Sequence, residues 1–161
     1  MIEVIDNYLP ADAFQKIRDT VFSNNDFPWY YIGNVTGDHE DDLYYLVHIL
    51  QDNMGVNSSY YTDIGQPLVD TLNFKAFIRI KVNCYPKGKE LVEHGLHSDY
   101  GYDHKGAIYS INTCNGYTRF ETGEKIDSVA NRMIFFNPNI FHTSTNTTDQ
   151  KRRININFNY F

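Results

Sequence analysis

Apolar and polar side chains alternate strictly over the last residues of the chain. The apolar positions are Ile154, Ile156 and Phe158, and the polar ones are Arg153, Asn155, Asn157 and Asn159. Consecutive side chains of a strand point to opposite faces, so this alternation predicts a β-strand with one apolar and one polar face. The apolar face must pack on a core. The polar face either meets solvent or lines a polar cavity, and the sequence leaves both interpretations open.

Further short strand-like runs precede this one. They cover residues 75–85, 91–99, 106–112, 117–121 and 131–137, and the final run spans 152–160. Clusters of Gly, Asn, Asp and Pro separate them, and many short strands with closely spaced turn signals predict a β-sandwich or barrel. The aromatic content of 16% agrees with this prediction, because aromatic side chains favour pleated, half-buried surfaces.

The first 74 residues carry helical signals. Apolar residues at helical spacing predict a helix over 10–23 and a second short helix over 64–72, whereas the β-branched and aromatic content of 43–50 favours a strand. A chain of 161 residues, 42% of them hydrophobic, suffices for one core. We therefore predict a single domain, mainly β (α+β), in which helices of the N-terminal support region (1–74) cover one sheet of the β core (75–161).

The composition excludes several classes of protein. A net charge of -6 argues against a generic nucleic-acid binder, which needs a basic face to displace counterions from phosphates. The chain has no signal-peptide pattern and no run of about 18 apolar residues, so we expect a soluble, cytoplasmic protein without a membrane segment. Cys84 and Cys114 lack Cys-x-x-Cys spacing and are expected to be buried thiols.

Three side chains form a candidate metal site. His97 and Asp99 are two residues apart, so in a strand they point to the same side. Such a pair occurs often by chance, and a third ligand is required. His142 supplies it after the apolar run 133–136 and the turn 137–139. Two histidines and one carboxylate, with the other coordination positions open, are typical of non-haem ferrous oxygenases. A closed site of four ligands would instead hold structural zinc.

A bound organic acid would need a cation of its own. Arg153 begins the polar face of the last strand, and a guanidinium group suits bidentate binding of a carboxylate. Arg152 is adjacent but points to the opposite face, where it would be an ordinary surface charge. We prefer Arg153 as the carboxylate anchor and keep Arg152 as the alternative. The other histidines, at positions 39, 48, 94 and 104, are expected to be surface or structural residues.

These residues and several short motifs resemble one family. The motifs are Asn83-Cys84-Tyr85-Pro86, His97-Ser98-Asp99, Ile108-Tyr109-Ser110-Ile111-Asn112, Asn115-Gly116-Tyr117-Thr118-Arg119-Phe120, Phe135-Phe136 through to His142, and Arg153-Ile154-Asn155. In this order they resemble the 2-oxoglutarate- and Fe(II)-dependent oxygenases, specifically the prolyl 4-hydroxylase-like branch and its short bacteriophage-encoded members. The resemblance covers residues 76–161 and extends faintly to the N-terminus.

The resemblance implies a fold, a set of cofactors and site residues. The fold would be a double-stranded β-helix, a cupin-like jelly roll. His97, Asp99 and His142 would bind Fe(II) as the catalytic metal, and Arg153 would pair with the distal carboxylate of 2-oxoglutarate. Further cosubstrate contacts are implied for Tyr85, Asn83, Asn155 and Ser110. The implied reaction uses O2 to hydroxylate an unactivated C–H bond, with a peptidyl proline as the first expected substrate, and releases succinate and CO2.

Two other functions remain as alternatives. A related branch of nucleic-acid demethylases has a second arginine where this chain has Asn159, and that departure, together with the acidic charge, weakens the demethylase interpretation. A metal- or ligand-binding β-barrel without catalysis is the other alternative. The substrate, a peptide or a small molecule, would be selected by loops at 26–42, 53–63 and 100–105. The sequence does not define the oligomeric state.

Overall fold

The computed structural model describes residues 2–35 and 43–161. Part of the predicted substrate loop 26–42, and with it His39, lies outside these residues. The first helix, α1, spans Ala11–Arg18 and continues as a π-helical turn over Asp19–Ser23. A second π-helical turn, Tyr61–Gly65, leads into the short helix α2, Gln66–Val69. No helix among the described residues has the length and apolar character needed to span a membrane.

Most of the structure is β-sheet. The strands are β1 (Glu3–Ile5), β2 (Tyr30–Ile32), β3 (Tyr45–Asp52), β4 (Gly55–Val56), β5 (Phe77–Pro86), β6 (Lys105–Ser110), β7 (Tyr117–Phe120), β8 (Lys125–Asp127), β9 (Arg132–Phe136), β10 (His142–Ser144) and β11 (Arg152–Tyr160). Within the described ranges, a large antiparallel sheet has the order β1-β9-β6-β11-β5-β3-β2, with β4 paired to β3, and a small sheet has the order β10-β7-β8. The N-terminal region thus adds strands to both edges of the large sheet as well as helices.

Apolar residues of the large sheet and of the N-terminal helices belong to one buried cluster. Ile80 and Val82 of β5 and Ile156 of β11 are fully buried in the same hydrophobic cluster as Ile17 of α1 and Leu68 of α2. This arrangement explains the alternation of β11, because every second side chain fills that core. The opposite face of the large sheet is then directed towards the small sheet.

The polar face of β11 is buried, so the interpretation that it faces solvent is wrong. Asn155 is 3% exposed and Asn159 is fully buried. Strand β11 pairs with β5, and the polar residues of the two strands form rows across the sheet. The paired residues are Arg153 with Tyr85, Asn155 with Asn83, Asn157 with Lys81, and Asn159 with Arg79. A cavity between the sheets receives several of these side chains.

The strand predicted over 91–99 is not formed. This segment forms only two isolated β-bridges with β10 and the residue after it, Glu93 with Thr145 and His97 with His142. Between the bridges the carbonyl oxygen of His94 accepts a hydrogen bond from the Thr143 hydroxyl, at 2.6 Å, in place of a backbone N–H. A side chain thus occupies the acceptor that a continuous ladder would use, and the segment remains irregular.

Candidate metal centre

A backbone bridge brings two of the predicted metal ligands together. His97 and His142 form an antiparallel pair in which each backbone N–H donates to the other's carbonyl oxygen, at 3.0 and 2.8 Å. Paired residues on adjacent strands project to the same side of the sheet. Their imidazole rings are therefore neighbours, with centroids 4.7 Å apart.

Backbone carbonyl groups set the orientation of both imidazole rings. The Nδ1 atom of His97 lies 3.1 Å from the carbonyl oxygen of Gly95, and Nδ1 of His142 lies 3.0 Å from that of Ile140. Each Nδ1 therefore carries the proton, and each Nε2 keeps a free lone pair, as in metal-binding histidines. Burial lowers the pKa of His142 despite the opposing charge of Asp99, so its ring favours the neutral, ligating form.

Asp99 completes the cluster and is held by the end of β11. Its Oδ2 accepts hydrogen bonds from the amides of Asn159, at 2.7 Å, and Asn157, at 3.4 Å. Nη2 of Arg79 lies 3.8 Å from Oδ1. Burial alone would raise the pKa of Asp99, but the nearby His142, the Asn159 amide and Arg79 together hold that pKa below its usual value. The carboxylate is thus ionised and ready to bind a cation.

The donor set fits a divalent cation with open coordination positions. One ligand atom from each of His97, Asp99 and His142 lies within 4.8 Å of the other two, and the described residues contain no other such group of three. The cluster opens into a small cavity of about 50 Å³ between the sheets. Two imidazoles and one carboxylate facing a cavity leave room for further ligands, as in non-haem iron sites.

Arg153 is a buried cation without an acidic partner in the described structure. Its side chain is 1% exposed. Nη1 donates to the carbonyl oxygen of Thr145 at 3.0 Å, and Nη2 donates to Oγ1 of Thr118 at 3.1 Å. Nε is buried and has no partner. Burial lowers the pKa of Arg153 because no carboxylate compensates its charge. A desolvated, incompletely paired guanidinium fits a carboxylate ligand.

Gly116 makes room for this arginine. A Cβ atom at Gly116 would lie 2.6 Å from Cδ of Arg153 and 2.5 Å from the carbonyl oxygen of Asn146. No real side chain tolerates such contacts, so the position requires glycine. On the other side, the guanidinium group of Arg153 lies over the ring of Tyr85, 5.6 Å from its centroid.

The other predicted cosubstrate residues lie on the neighbouring strands β5, β11 and β6. Tyr85 is buried and stacks between His94 and Tyr45. Asn83 donates to Oδ1 of Asn155 at 2.9 Å, and Oδ1 of Asn83 is left without a partner. Both asparagines line the cavity. Ser110 of β6 is buried beside Asn155 but is not part of the cavity lining.

Arg152 points away from the cavity. Its guanidinium lies over the ring of Phe22, 4.9 Å from the centroid, and also donates to the carbonyl oxygen of Phe22. It is thus a packing residue on the helical side of the sheet. The described histidines outside the cluster are structural: His48 bonds Ser58, His94 bonds Ser144, and His104 contacts Asn159. Burial, Arg153 and His97 lower the pKa of His94 to about 4, which keeps its ring neutral.

Sequence reasoning missed several residues of the site. Lys81 and Thr118 line the cavity, and Arg79 contacts Asp99. The signal for two of them was present, because Arg79 and Lys81 have the same parity as Tyr85 in β5 and must share its face. Asn159, which departs from the demethylase pattern, donates a hydrogen bond to the carboxylate of Asp99.

Comparison of the chain with known proteins identifies its fold. No family model and no curated protein sequence matches it. Among solved structures, a prolyl hydroxylase from Trichoplax adhaerens, in complex with a hypoxia inducible factor oxygen degradation domain peptide fragment, matches with a TM-score of 0.71 and 16% identity. The match covers 99% of this chain and 83% of that one.

Two further structures are similar. The viral collagen prolyl hydroxylase of Paramecium Bursaria Chlorella virus-1, a 2OG complex, matches with a TM-score of 0.55 and 14% identity over 98% of this chain and 93% of that one. The non-heme alpha ketoglutarate dependent epimerase SnoN from nogalamycin biosynthesis matches with a TM-score of 0.70 and 11% identity over 99% of this chain and 76% of that one. The chain therefore has the fold that prolyl hydroxylases share with other 2OG-Fe(II) oxygenases.

Proposed function

We propose that this protein is an Fe(II)- and 2-oxoglutarate-dependent oxygenase that hydroxylates a C–H bond. The observation that carries the proposal is the pairing of two features on one buried polar face. Asn157 and Asn159 of β11 hold the metal ligand Asp99, and the same strand places Arg153, a buried cation without an acid among the described residues, two rows away. A metal site and a separate carboxylate anchor are what a chelating dicarboxylate requires.

The protein's residues bind and orient the reactants. His97 and His142, through their Nε2 atoms, and Asp99, through its carboxylate, would hold the metal at the edge of the cavity. Ferrous iron, when bound with 2-oxoglutarate and O2, supplies the oxidising power for hydroxylation, with succinate and CO2 as co-products. Arg153 binds the distal carboxylate of 2-oxoglutarate. Burial raises the pKa of Tyr85, so its hydroxyl stays protonated and donates a hydrogen bond beside that carboxylate.

The polar residues between the two anchors position the cosubstrate. Asn83 and Asn155 occupy the row between Arg153 and the Asn157 row that contacts Asp99. The unpartnered Oδ1 of Asn83 and the Asn83–Asn155 hydrogen bond give this row a fixed polar surface. The apolar side chains Ile108 and Val35 line other parts of the cavity.

The substrate is a peptide or a small molecule. A similar structure contains a prolyl hydroxylase with a bound peptide fragment, which supports a proline-containing peptide as the first candidate. A small molecule is the second candidate, because an epimerase from nogalamycin biosynthesis has the same fold and a fold does not determine the substrate.

The proposal is tested by separating binding from turnover. Protein loaded with Fe(II) without oxygen is exposed to air with 2-oxoglutarate, and succinate is measured. Calorimetry of the Zn(II)-loaded protein with 2-oxoglutarate provides the binding readout. We expect His142→Ala to lose metal binding and succinate formation, and Arg153→Ala to keep the metal but lose 2-oxoglutarate binding.

Arg152→Ala is the matched control, because it removes an adjacent arginine that faces the helices. It should retain both binding and turnover. If the wild-type protein bound neither Fe(II) nor 2-oxoglutarate, the oxygenase proposal would be wrong and the non-catalytic barrel would replace it.

A further inference from the structure

Lys81 is the one lysine or arginine among the described residues that line the cavity, which do not include Arg153, and the proposed reaction does not use Lys81. It lies in β5 between Arg79 and Asn83, on the same face as Tyr85, and its side chain lines the cavity with His97, Asp99 and His142. Its Nζ atom lies 3.3 Å from the hydroxyl of Tyr45 and 5.3 Å from the centre of that ring. A protonated lysine has three N–H donors, so most of its donor capacity remains unused.

The cavity does not neutralise this charge. Asp99 is the single acidic side chain among the described lining residues, and it is a ligand of the metal cluster. Within the described structure, no carboxylate forms an ion pair with Lys81. Burial and the neighbouring Arg79 lower the pKa of Lys81 to about 7, against the opposing effect of Asp99. Lys81 is partly buried. A partly desolvated ammonium group without an anion is unfavourable, and an anionic ligand would stabilise it.

The side chains of Lys81 and Arg153 point to different partners. The guanidinium group of Arg153 reaches across to Thr118 of β7 and to Thr145, which belong to the side of the small sheet. The ammonium group of Lys81 reaches sideways along the large sheet to Tyr45 of β3. In the sheet, Lys81 pairs with Asn157, two rows from Arg153. A carboxylate on Arg153 therefore leaves Lys81 free for a different anion.

We propose that Lys81, together with the Tyr45 hydroxyl, binds a carboxylate group of the substrate beside the metal cluster. This inference rests on the proposed oxygenase function and specifies its substrate class: a molecule with a carboxylate near the C–H bond that reacts. Lys81 lines the same cavity as the metal ligands, so a substrate held there lies next to the metal. The buried Oδ1 of Asn157, in the neighbouring strand, has no partner and would accept an N–H group of the same substrate.

A carboxylate with a nearby N–H group can come from two sources. One is a free amino acid or a related small acid, and the other is the C-terminal residue of a peptide. Both present the same chemistry to Lys81 and Asn157. An internal peptide residue with an uncharged side chain presents no carboxylate and leaves the ammonium group unpaired.

The experiment uses acetate as the probe of the Lys81 site. Zn(II) and 2-oxoglutarate are added first to occupy the metal and Arg153, and the lysine side chains are labelled with ¹³C at Cε for NMR. The Lys81 signal is assigned by its loss in Lys81→Met. At neutral pH, acetate should shift this signal saturably towards the protonated position, because a bound anion raises the pKa of the ammonium group.

Lys125 is the internal control. Its Nζ atom also lies over an aromatic ring, 3.8 Å from the centroid of Tyr117, but the residue is on the surface. Its signal should not saturate with acetate. If the Lys81 signal stays fixed, or moves only in parallel with that of Lys125, the proposal is overturned. It is equally overturned if 2-oxoglutarate alone shifts the Lys81 signal and acetate then has no effect, because Lys81 would belong to the cosubstrate.

The second step uses competition to identify the source of the carboxylate. Free amino acids, small acids and short peptides are compared with their own amides as ligands that shift the Lys81 signal of the loaded protein. We expect acids to bind about tenfold or more tightly than the matched amides, and this preference to be lost in Lys81→Met. Equal binding of acid and amide would refute the inference. Failure of Zn(II) or 2-oxoglutarate to bind would instead refute the proposed function. In that case the acetate titration of the unloaded protein would still test whether Lys81 binds an anion.

Discussion

Replacing Arg153 by methionine should separate ligand binding from folding. Arg153 is 1% exposed and donates two hydrogen bonds to uncharged acceptors. It forms no ion pair in the described structure, so its removal leaves no buried carboxylate unpaired. Methionine is unbranched and flexible, and it can fill most of the space of the aliphatic stem.

Replacing Arg153 by methionine changes the stability of the apoprotein in two ways: a buried charge is removed, which stabilises, and two hydrogen bonds are lost, which destabilises. Relief of desolvation should return several kcal/mol, and each lost hydrogen bond to the charged group should remove about 1.5–3 kcal/mol. We therefore expect the free energy of unfolding of the apoprotein to change by less than about 2 kcal/mol. Breaking a structural buried ion pair would lower it by about 3–5 kcal/mol.

The effect on 2-oxoglutarate binding should be much larger. Ligand at a hundredfold excess over its Kd stabilises a protein by about 2.7 kcal/mol, which corresponds to roughly 5–10 °C in Tm for a chain of this size. If loss of Arg153 weakens binding about a hundredfold, the same ligand concentration should stabilise the variant by only about 0.4 kcal/mol.

The assay is thermal unfolding of the Zn(II)-loaded protein with and without 2-oxoglutarate. Wild type and Arg152→Met, in which the neighbouring arginine faces the helices, should both show the full ligand-induced shift in Tm. Arg153→Met should show almost none. A variant that unfolds far more easily without ligand, or that keeps the wild-type shift, would refute the assignment of Arg153 as a ligand anchor.

Three further outcomes are expected. His142→Ala should lose the stabilisation that added Zn(II) gives the wild type, and EDTA should no longer change its Tm. Gly116→Ala should displace Arg153 and weaken 2-oxoglutarate binding about tenfold or more, with metal binding retained in the same calorimetric titration. Hydrogen bonds from Arg119 are the main reason that the pKa of Glu93 is lowered to about 2. Glu93→Gln should therefore lower stability by about 0.5–1 kcal/mol above the normal glutamate pKa, and urea unfolding should show this difference vanishing as the pH falls towards 2.

Strong periodic patterns in the sequence predicted the central elements of the fold. The alternation of β11 was visible because every second side chain enters the core around Ile156, and the predicted run 75–85 coincides closely with β5 for the same reason. The spacing of His97 and Asp99 predicted that their side chains lie together. They do so even though no regular strand forms at 91–99, because the bridge between His97 and His142 fixes the backbone locally.

Other features depend on contacts that no local pattern records. The edge strands β1, β2 and β4 have two or three residues, too few for a recognisable period. Whether the polar face of β11 met solvent depended on the small sheet, which lies opposite it through non-local pairing. The need for glycine at position 116 likewise arises from Arg153, which is distant in sequence.

The His97–His142 backbone bridge has a consequence for metal affinity. Closing a flexible loop of roughly 45 residues carries an entropic cost on the order of 3 kcal/mol. Here folding closes the loop before any metal binds, and two reciprocal backbone hydrogen bonds between His97 and His142 help to offset the entropic cost. A cation that arrives later finds its two imidazole donors already adjacent, and coordination resembles binding to a preformed macrocyclic chelator. The proposed metal site is therefore formed by folding itself, and metal binding should proceed without a folding transition.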